Sequence, residues 1–257
     1  MKKLIALLMV FCLLLPAAFA ESDLLERLTE KGVITVAMEG TWAPWTYYEG
    51  DELTGFDVDV SKAIAEKLGL EAVFEECPWD SIFAGLASGR YDMIANGVEY
   101  SEERAESFAF SAPYAFIRTA LIVRGDNEEI NSFEDLAGKK TANTISSTYA
   151  KLGESYGAVT EGVDDLIQTI LLVLQGRVDA TLNAEVTFYD YMAEYPDANL
   201  RLVALTEDAS DVCIALRKDE DSASFVEAVS AAIIELREEG VLSELSIKYF
   251  GADMCAE

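Results

Sequence analysis

Histidine is absent from the 257 residues, and this absence narrows the possible chemistry. Without an imidazole the chain has no Ser-His-Asp or Cys-His catalytic arrangement and no histidine-based metal site. Cysteine is scarce, and the four cysteines show no C-x-x-C spacing that would indicate a zinc or redox motif. Beyond the amino-terminal segment only Cys77, Cys213 and Cys255 remain. One disulfide among them is open, but we expect three buried or inert thiols.

Positive charge is also in short supply, with 19 Lys and Arg against 47 Asp and Glu and a net charge of −28. Binding to DNA, RNA or an anionic membrane surface rests on Lys and Arg, so this balance argues against all three. The composition, 51% hydrophobic and 26% charged, is typical of a globular protein. The length suits one large domain or two lobes of roughly 100 residues each.

Long apolar runs are missing except at the amino terminus, where residues 4–15 are apolar almost throughout. Two lysines precede this run, and a proline and the small-residue pattern Ala-Phe-Ala at 18–20 follow it. The arrangement predicts a cleavable signal peptide over residues 1–20, with cleavage near Ala20. The alternative, a membrane anchor, is disfavoured because the run is short for a membrane span. We therefore expect a mature protein that is periplasmic or secreted.

The remaining chain alternates between strand and helix patterns, which predicts an α/β fold with parallel sheets covered by helices. The strand-like runs are 33–38, 72–75, 91–95, 140–142 and 178–182, and the helical patterns are 60–68, 79–89, 148–156, 166–174 and 222–239. Two further extended runs, 119–123 and 211–216, are expected to carry the chain between two α/β units. Two crossings imply that the second lobe is inserted into the first.

Several short segments, in order, resemble one known family. They are 39–45, 53–60, 79–80, 86–92, 101–104, 110–114, 133–139, 176–180 and 248–251. The chain resembles extracytoplasmic solute-binding proteins of ABC importers for polar amino acids over nearly all of 33–253. The Glu-Gly-Thr at 39–41 and the Ala-Asn-Gly-Val at 95–98 look most like the cystine-binding subgroup of that family.

The resemblance implies a type II periplasmic-binding-protein fold, with two α/β lobes joined by two hinge strands. Lobe 1 would comprise 21–118 and 213–257, and lobe 2 would comprise 119–212. The implied function is binding of a polar amino acid, cystine included, between the lobes and delivery to a membrane permease. The implied protein is a monomer that contacts the membrane only through that permease, binds no nucleic acid, needs no cofactor and is not an enzyme.

Two other functions stay open at this point. Periplasmic cyclohexadienyl or arogenate dehydratases resemble this family, and such an enzyme needs a positioned general acid, for which Glu99 is the candidate. A receptor that passes its ligand to a signalling partner is the other possibility. The amino-acid-binding function is the one that we expect.

Arg104 is the first candidate for the ligand site. In the resembled family the Arg of the Ser/Thr-x-x-Arg motif holds the α-carboxylate of the ligand. A guanidinium is always charged and donates two parallel hydrogen bonds to a carboxylate. Spacing alone would favour a surface arginine, because three glutamates lie within two residues of it. The motif favours a ligand-binding role.

The other expected site residues come from both lobes. Trp42 and Trp79 stand where the family places aromatic walls, and a ring offers flat apolar area with little rotamer entropy to lose. The loop that precedes Arg104 adds Asn96, Gly97 and Glu99 to this group. The start of a helix in the second lobe adds Ser147 and Thr148. Plain helix capping is the alternative role for the last two.

One position departs from the family. After the Gly-Arg-x-Asp-Ala segment the family usually presents an Asp that accepts the α-ammonium, and here that position is Ala184. We expect Glu99 to replace the missing acid, with Asn183 or Glu185 as alternatives. Glu39 is a further acid near the expected pocket mouth. Two acids would favour a cationic or doubly zwitterionic ligand such as cystine, unless both are simply solvated.

Asp57 and Asp59 have the i, i+2 spacing of a metal or catalytic pair. Their place at a strand-to-helix turn favours helix capping and local hydrogen bonds instead. No P-loop and no GxGxxG fingerprint occurs in the sequence. We therefore predict no metal site.

Overall fold

The computed structural model describes residues 23–256. The expected signal peptide, residues 1–20, lies outside this range. Within 23–256 no helix combines the length and the apolar character that crossing a bilayer requires.

The described chain alternates short strands and helices. The strands are β1 (Val33–Met38), β2 (Tyr47–Glu49), β3 (Glu52–Thr54), β4 (Glu71–Glu76), β5 (Met93–Ile94), β6 (Phe108–Phe110), β7 (Ala115–Ile117), β8 (Thr119–Arg124), β9 (Lys140–Asn143), β10 (Val159–Gly162), β11 (Ala180–Ala184), β12 (Leu200–Leu205), β13 (Ser210–Val212) and β14 (Ala215–Arg217). The helices are α1 (Leu24–Lys31), α2 (Phe56–Lys67), α3 (Trp79–Ala87), α4 (Glu102–Ser107), α5 (Thr148–Ser155), α6 (Leu166–Leu174), α7 (Glu185–Glu194), α8 (Ala223–Glu238) and α9 (Val241–Phe250), with 3₁₀ turns at Phe133–Leu136 and Glu220–Ser222.

The first lobe is built on a five-stranded sheet in the order β4-β1-β5-β14-β6. β1 pairs in parallel with β4 and β5, and β14 runs antiparallel to β5 and β6. Ile34, Val36 and Met38 alternate along β1 and lie fully buried in the large core cluster that also holds residues of α2 and α8. Ala37 belongs to a second cluster, with residues of α3. Both faces of the sheet are therefore covered, which explains the apolar strands.

The second lobe is built on a sheet in the order β10-β9-β11-β8-β12. β9 is parallel to β10 and β11, whereas β8 is antiparallel to β11 and β12. Successive residues of β8 enter different clusters, with Ala120 and Ile122 in one and Leu121 and Val123 in the other. This alternation buries both faces of the central strand, in the same way as in the first lobe.

The chain passes between the lobes along two neighbouring segments. β7 precedes the crossing into the second sheet and β13 follows the return, and the two pair antiparallel. The sequence predicted one extended run over 211–216, which the structure corrects. The run is divided between β13 and β14, because β13 pairs with β7 whereas β14 pairs with β5 and β6. The exact lobe boundaries at 118/119 and 212/213 stay a prediction.

The three cysteines of the described chain, Cys77, Cys213 and Cys255, are buried and free. Burial raises the pKa of the Cys213 and Cys255 thiols to about 12, so both are uncharged at neutral pH.

Candidate functional site: a cleft between the two lobes

A cavity of about 570 Å³, counted with its opening to solvent, lies between the lobes. The first lobe lines it with Glu39, Thr41, Trp42, Trp79, Gly97, Glu99 and Arg104, and the second lobe with Asn143, Thr144, Ser147, Thr148, Tyr149, Asp165, Leu166, Thr169 and Asn183. Nine of the eleven residues expected from sequence are in this set. Asn96 and Glu185 are not. Several of the lining residues from the second lobe were not anticipated.

Arg104 is held in the cleft wall by backbone carbonyls and aromatic rings. It belongs to α4, whose N-cap Ser101 accepts from the Arg104 backbone N–H. The guanidinium donates from Nη1 to the Glu99 carbonyl at 2.9 Å, and it lies 5.1 Å from the ring centres of Trp79 and Phe83. No carboxylate within residues 23–256 comes within 4.0 Å of it to form an ion pair. A positioned cation without an anionic partner is suited to bind an anion.

The charge of Arg104 is maintained at a cost. Burial lowers the pKa of the guanidinium, and the negative charge of Glu99 opposes that shift. Because the ordinary arginine pKa is so high, the group stays protonated. Burial removes water from around the guanidinium. An anionic ligand group would supply a counter-charge that compensates for this loss of hydration.

Two tryptophans form the apolar part of the wall. The Trp42 ring stacks on the buried Trp45 ring at 5.4 Å between centroids, and Trp79 meets Phe83 edge-on at 5.5 Å. Trp45 does not line the cavity and lies beneath the loop, in contact with Phe56. Rings fixed in this way offer a ligand a rigid surface.

Gly97 is required by the backbone at the cavity wall. Its φ is +54°, and a Cβ at this position would lie 2.7 Å from the Trp42 ring. Its N–H donates to Asp57 at 2.5 Å, and the Tyr114 hydroxyl donates to the other oxygen of Asp57 at 2.6 Å. Burial raises the pKa of Asp57 to about 7. Asp57 therefore anchors the loop that carries Gly97 and Glu99.

Asp59 faces away from this network, which corrects the expected capping role of the acidic pair. Its carboxylate accepts from Lys248 at 2.7 Å and from Tyr249 at 2.6 Å. The N-cap of α2 is Gly55, without a side-chain cap. Asp57 thus bonds to distant residues, whereas Asp59 combines its distant partners with a local contact to Lys62 at 3.5 Å. Within 23–256 no group of three or more Cys, Asp or Glu is placed to hold a metal ion.

Glu99 is the buried acid of the first-lobe wall, with 5% of its surface exposed. Its Oε1 finds no hydrogen-bond partner within the described chain. Burial raises the pKa of this carboxyl, whereas hydrogen bonds from the Thr148 and Tyr149 hydroxyls and the Arg104 charge act in the opposite direction. An unpaired buried acceptor costs free energy, and a ligand donor would remove that cost.

Glu39 is positioned by Asn96. Asn96 is fully buried and does not line the cavity itself. The Asn96 amide donates to Glu39 Oε2 at 2.7 Å and accepts from the Glu39 backbone N–H at 2.8 Å. Burial raises the pKa of Glu39 to about 7, and the negative charges of Asp165 and Asp80 add to the rise. Three acids, Glu39, Glu99 and Asp165, therefore line a cavity with one arginine.

The second-lobe residues expected from sequence have separate places. Ser147 caps α5 by accepting from the Ala150 N–H at 3.1 Å, so its hydroxyl has the structural role that was the alternative. Thr148 follows as the first helical residue and lines the cavity. Asn183 accepts from Trp42 Nε1 at 3.2 Å across the cleft.

Ala184 and Glu185 follow Asn183 but contribute no polar group to the cavity. Ala184 is fully buried at the end of β11. The Glu185 carboxylate accepts from Arg118 at 3.0 and 2.8 Å, away from the lining residues. Sequence reasoning placed Glu185 among the alternatives for the missing acid, whereas the structure engages it with Arg118.

Sequence reasoning missed Asn143, Tyr149 and Asp165, which all line the cavity. Asp165 caps α6 by accepting from the Gln168 N–H at 2.9 Å. An Asp before an apolar run is a signal for a helix start, which could have located the cap but not its position at the cleft. Asn143 ends β9, and no sequence signal marks it.

Several contacts join the lobes across the cleft. The Ser146 hydroxyl donates to Asp80 at 2.6 Å, and Lys151 pairs with Glu103 at 2.6 Å. With the bond from Trp42 to Asn183, these contacts show that the two walls face each other closely.

Sequence comparison identifies a family and a relative that both agree with the resemblance described above. The model of the family described as bacterial extracellular solute-binding proteins, family 3, matches residues 34–252. L-cystine-binding protein TcyA of Bacillus subtilis (strain 168) is 37% identical over 236 residues, which cover 91% of this chain and 87% of that protein.

Structural comparison finds two similar proteins, one in an unliganded open form and the other bound to its ligand. The L-cystine solute receptor of Neisseria gonorrhoeae in its unliganded open conformation is 40% identical, with 92% of this chain and 100% of that chain covered and a TM-score of 0.62. An ancestral arginine-binding protein bound to arginine is 31% identical, with 86% and 99% covered and a higher TM-score of 0.79. On these findings, the chain belongs to the bacterial extracellular solute-binding proteins, family 3.

Proposed function

We propose that this protein binds an amino acid in the cleft between its lobes, outside the cytoplasmic membrane, and delivers it to an ABC-transporter permease. The observation that carries the proposal is the Arg104 guanidinium, which lines the cavity without a carboxylate partner. In this proposal Arg104 holds the α-carboxylate of the ligand, and Trp42 and Trp79 flank its apolar part. The relatives named above, two of them named for cystine, support the same role.

The acids of the cavity favour a ligand with more than one ammonium group. Glu99 and Asp165 come from opposite lobes, and Glu39 adds a third carboxylate. Each carboxylate raises the free energy of the empty cleft, and a ligand cation offsets that repulsion. A doubly zwitterionic amino acid such as cystine supplies two ammonium groups. Its second carboxylate would meet the N-terminus of α5 at Thr148, where helical N–H groups are donors.

Glu99 is proposed to take over from the missing acid at Ala184. Its Oε1 has no hydrogen-bond partner in the described chain, and it lies on the same loop as Gly97, beside Arg104. The acid has thus moved from the second lobe to the first. The α-carboxylate and the α-ammonium would then both be bound by the first lobe before the cleft closes.

Closure would follow from contacts that only the ligand can complete. A ligand shifts the equilibrium between open and closed lobes by as much as its affinities for the two states differ. A ligand held by Arg104 and also by second-lobe groups binds the closed state better. Delivery then requires reopening, which the permease would promote.

A thermal-shift screen of the mature protein against the common L-amino acids and L-cystine tests the proposal. A ligand that binds only the folded state raises the melting temperature, and calorimetry then gives its affinity. We expect the largest shift with cystine, and smaller shifts with arginine and lysine, which carry a single carboxylate. Shifts confined to arginine and lysine would replace cystine by a cationic ligand. No shift with any amino acid would overturn the proposed function.

The protein is further proposed to act as a monomer, without a cofactor and without catalysing a reaction. Glu99 is the residue that an arogenate or cyclohexadienyl dehydratase reaction would use as its acid. Incubation with prephenate or arogenate should give no aromatic product. Product formation that Glu99→Gln abolishes would establish the enzyme instead.

A further inference from the structure

Asn143 has an unusual place in the second-lobe wall. It is the last residue of β9, lines the cavity and exposes only 2% of its surface. Its amide Nδ2 donates to the Leu182 carbonyl of the neighbouring strand β11 at 2.7 Å. Its Oδ1 finds no hydrogen-bond partner within residues 23–256.

The orientation of this amide is determined by its partner. A backbone carbonyl only accepts hydrogen bonds, so the NH₂ group of Asn143 must face Leu182. The Oδ1 atom is therefore not the one that contacts Leu182, and it remains an unsatisfied acceptor. Buried acceptors of this kind are uncommon in native proteins. Asn143 combines such an acceptor with a place in the cavity lining, which Thr141 of the same strand does not have.

The same edge of the sheet contains the position from which the usual acid is missing. β9 and β11 are parallel neighbours, with Ala180 opposite Thr141, so Asn143 lies opposite Leu182 and two residues short of the level of Ala184. Ala184 offers no polar side-chain atom. On the facing wall, Glu99 Oε1 is also without a partner. Asn143 and Glu99 thus line one cavity from opposite lobes, and each has a buried oxygen without a hydrogen-bond partner.

We propose that Asn143 Oδ1 is the second lobe's acceptor for an ammonium group of the ligand, with Glu99 as the acceptor from the first lobe. The inference rests on the proposed function, because the ammonium groups are the only hydrogen-bond donors that zwitterionic cystine carries at neutral pH. An ammonium has three N–H donors and can satisfy both acceptors together. Since each lobe contributes one acceptor, the full set of bonds forms only when the cleft is closed.

A neutral amide in this role has a consequence for specificity. The usual acid attracts any cation, whereas an amide oxygen must be reached at hydrogen-bond distance and adds no negative charge to a cavity that already holds three acids. Asn143 therefore selects for the position of the ammonium group and limits the repulsion among the carboxylates.

Two substitutions of similar size test the assignment, with L-cystine and L-arginine as probes in calorimetry. Asn143→Leu removes the acceptor, and we expect its affinity for the bound amino acid to fall at least tenfold. Asn143→Asp keeps an acceptor but loses the NH₂ donor to Leu182, and we expect an affinity within threefold of the wild type or tighter. Thr141→Val is the matched control, because the Thr141 hydroxyl is another unpartnered buried oxygen of β9 that does not line the cavity. Its affinity should be unchanged.

Each result is decisive. An affinity of Asn143→Leu within threefold of the wild type would overturn the assignment, while the proposed function would stand if Arg104→Ala still abolished binding. Equal losses in Asn143→Leu and Asn143→Asp would show that the bond to Leu182 matters and that the acceptor does not, which also overturns it. Failure of the wild type to bind either probe would instead count against the proposed function. Melting temperatures without ligand separate these effects from a failure to fold.

Discussion

The residues of the two cleft walls differ in how readily the sequence identifies them. The first-lobe wall carries Arg104, Trp79 and Trp42 within segments that resemble a known family. The second-lobe wall carries Asn143 and Asp165, which end a strand and cap a helix and have no such context. Three charged residues of the first wall, Glu39, Glu99 and Arg104, line the cavity, whereas Asp165 is the one charged lining residue of the second wall. The comparison suggests that the first lobe sets affinity and the second lobe sets closure and selectivity.

Arg104→Ala is the strongest test of the first wall. Removing the cation leaves the ligand carboxylate without its partner, so the loss should be about 2–5 kcal/mol, or roughly 30- to 1,000-fold or more in affinity. Calorimetry with cystine measures it. Arg90→Ala is the control, because Arg90 is 60% exposed and pairs with Glu75 outside the cavity. Near wild-type binding by Arg104→Ala would contradict the proposal that the first lobe determines the affinity.

Glu99→Gln tests whether the acid has moved between the walls. The amide keeps the size of the side chain but loses the charge, so the affinity for cystine should fall by about 10- to 100-fold, the range for a hydrogen bond to a charged group. Glu185→Gln is the matched control, because Glu185 is also a buried glutamate but does not line the cavity. It should lower the melting temperature by breaking the pair with Arg118 and leave the affinity nearly unchanged. The reverse pattern would return the acid to the second lobe.

Much of the fold followed from the sequence, and the reasons are local. The helix at 148–156 and the strand at 33–38 were predicted nearly to the residue, since Ser147 stands at the start of the one and a short run of apolar, β-branched residues defines the other. The run 211–216 was not, because its division into β13 and β14 depends on strands about 100 residues away. Periodicity cannot anticipate a change of partner.

The site shows the same limit. Trp42 and Arg104 were identified from motif segments, whereas Asn143 and Asp165 look like an ordinary strand end and an ordinary N-cap in the sequence. Only the packing of one lobe against the other makes them lining residues. Asn96 and Glu185 show the opposite error, in which the sequence predicts a lining residue and the structure places it elsewhere. Both are polar and close in sequence to lining residues, yet one supports Glu39 and the other pairs with Arg118.

Acidification should weaken binding through the first wall. The pKa of Glu39 is raised to about 7, with Asn96, Asp165, Asp80 and the Trp79 backbone as the groups that act on it. A ligand ammonium favours the charged form, so the affinity should be full above pH 8 and fall about tenfold by pH 6. Calorimetry across this range measures the slope. Glu39→Gln should flatten it, and an unchanged slope in that variant would assign the titration to another group, such as Glu99.

The smallest expected effect comes from the rim, where the walls touch without the ligand. Lys151→Ala removes the exposed ion pair with Glu103 that joins the lobes, and exposed pairs contribute little. Because the pair joins the two lobes across the cleft, we expect its loss to reduce the closed population and weaken binding by less than about fivefold, with a smaller difference at high salt. Lys139→Ala, which breaks a comparable exposed pair with Glu129 inside the second lobe, should leave the affinity unchanged. Equal effects in the two variants would show that closure does not depend on this contact, and that the second wall acts through groups inside the cleft such as Asn143.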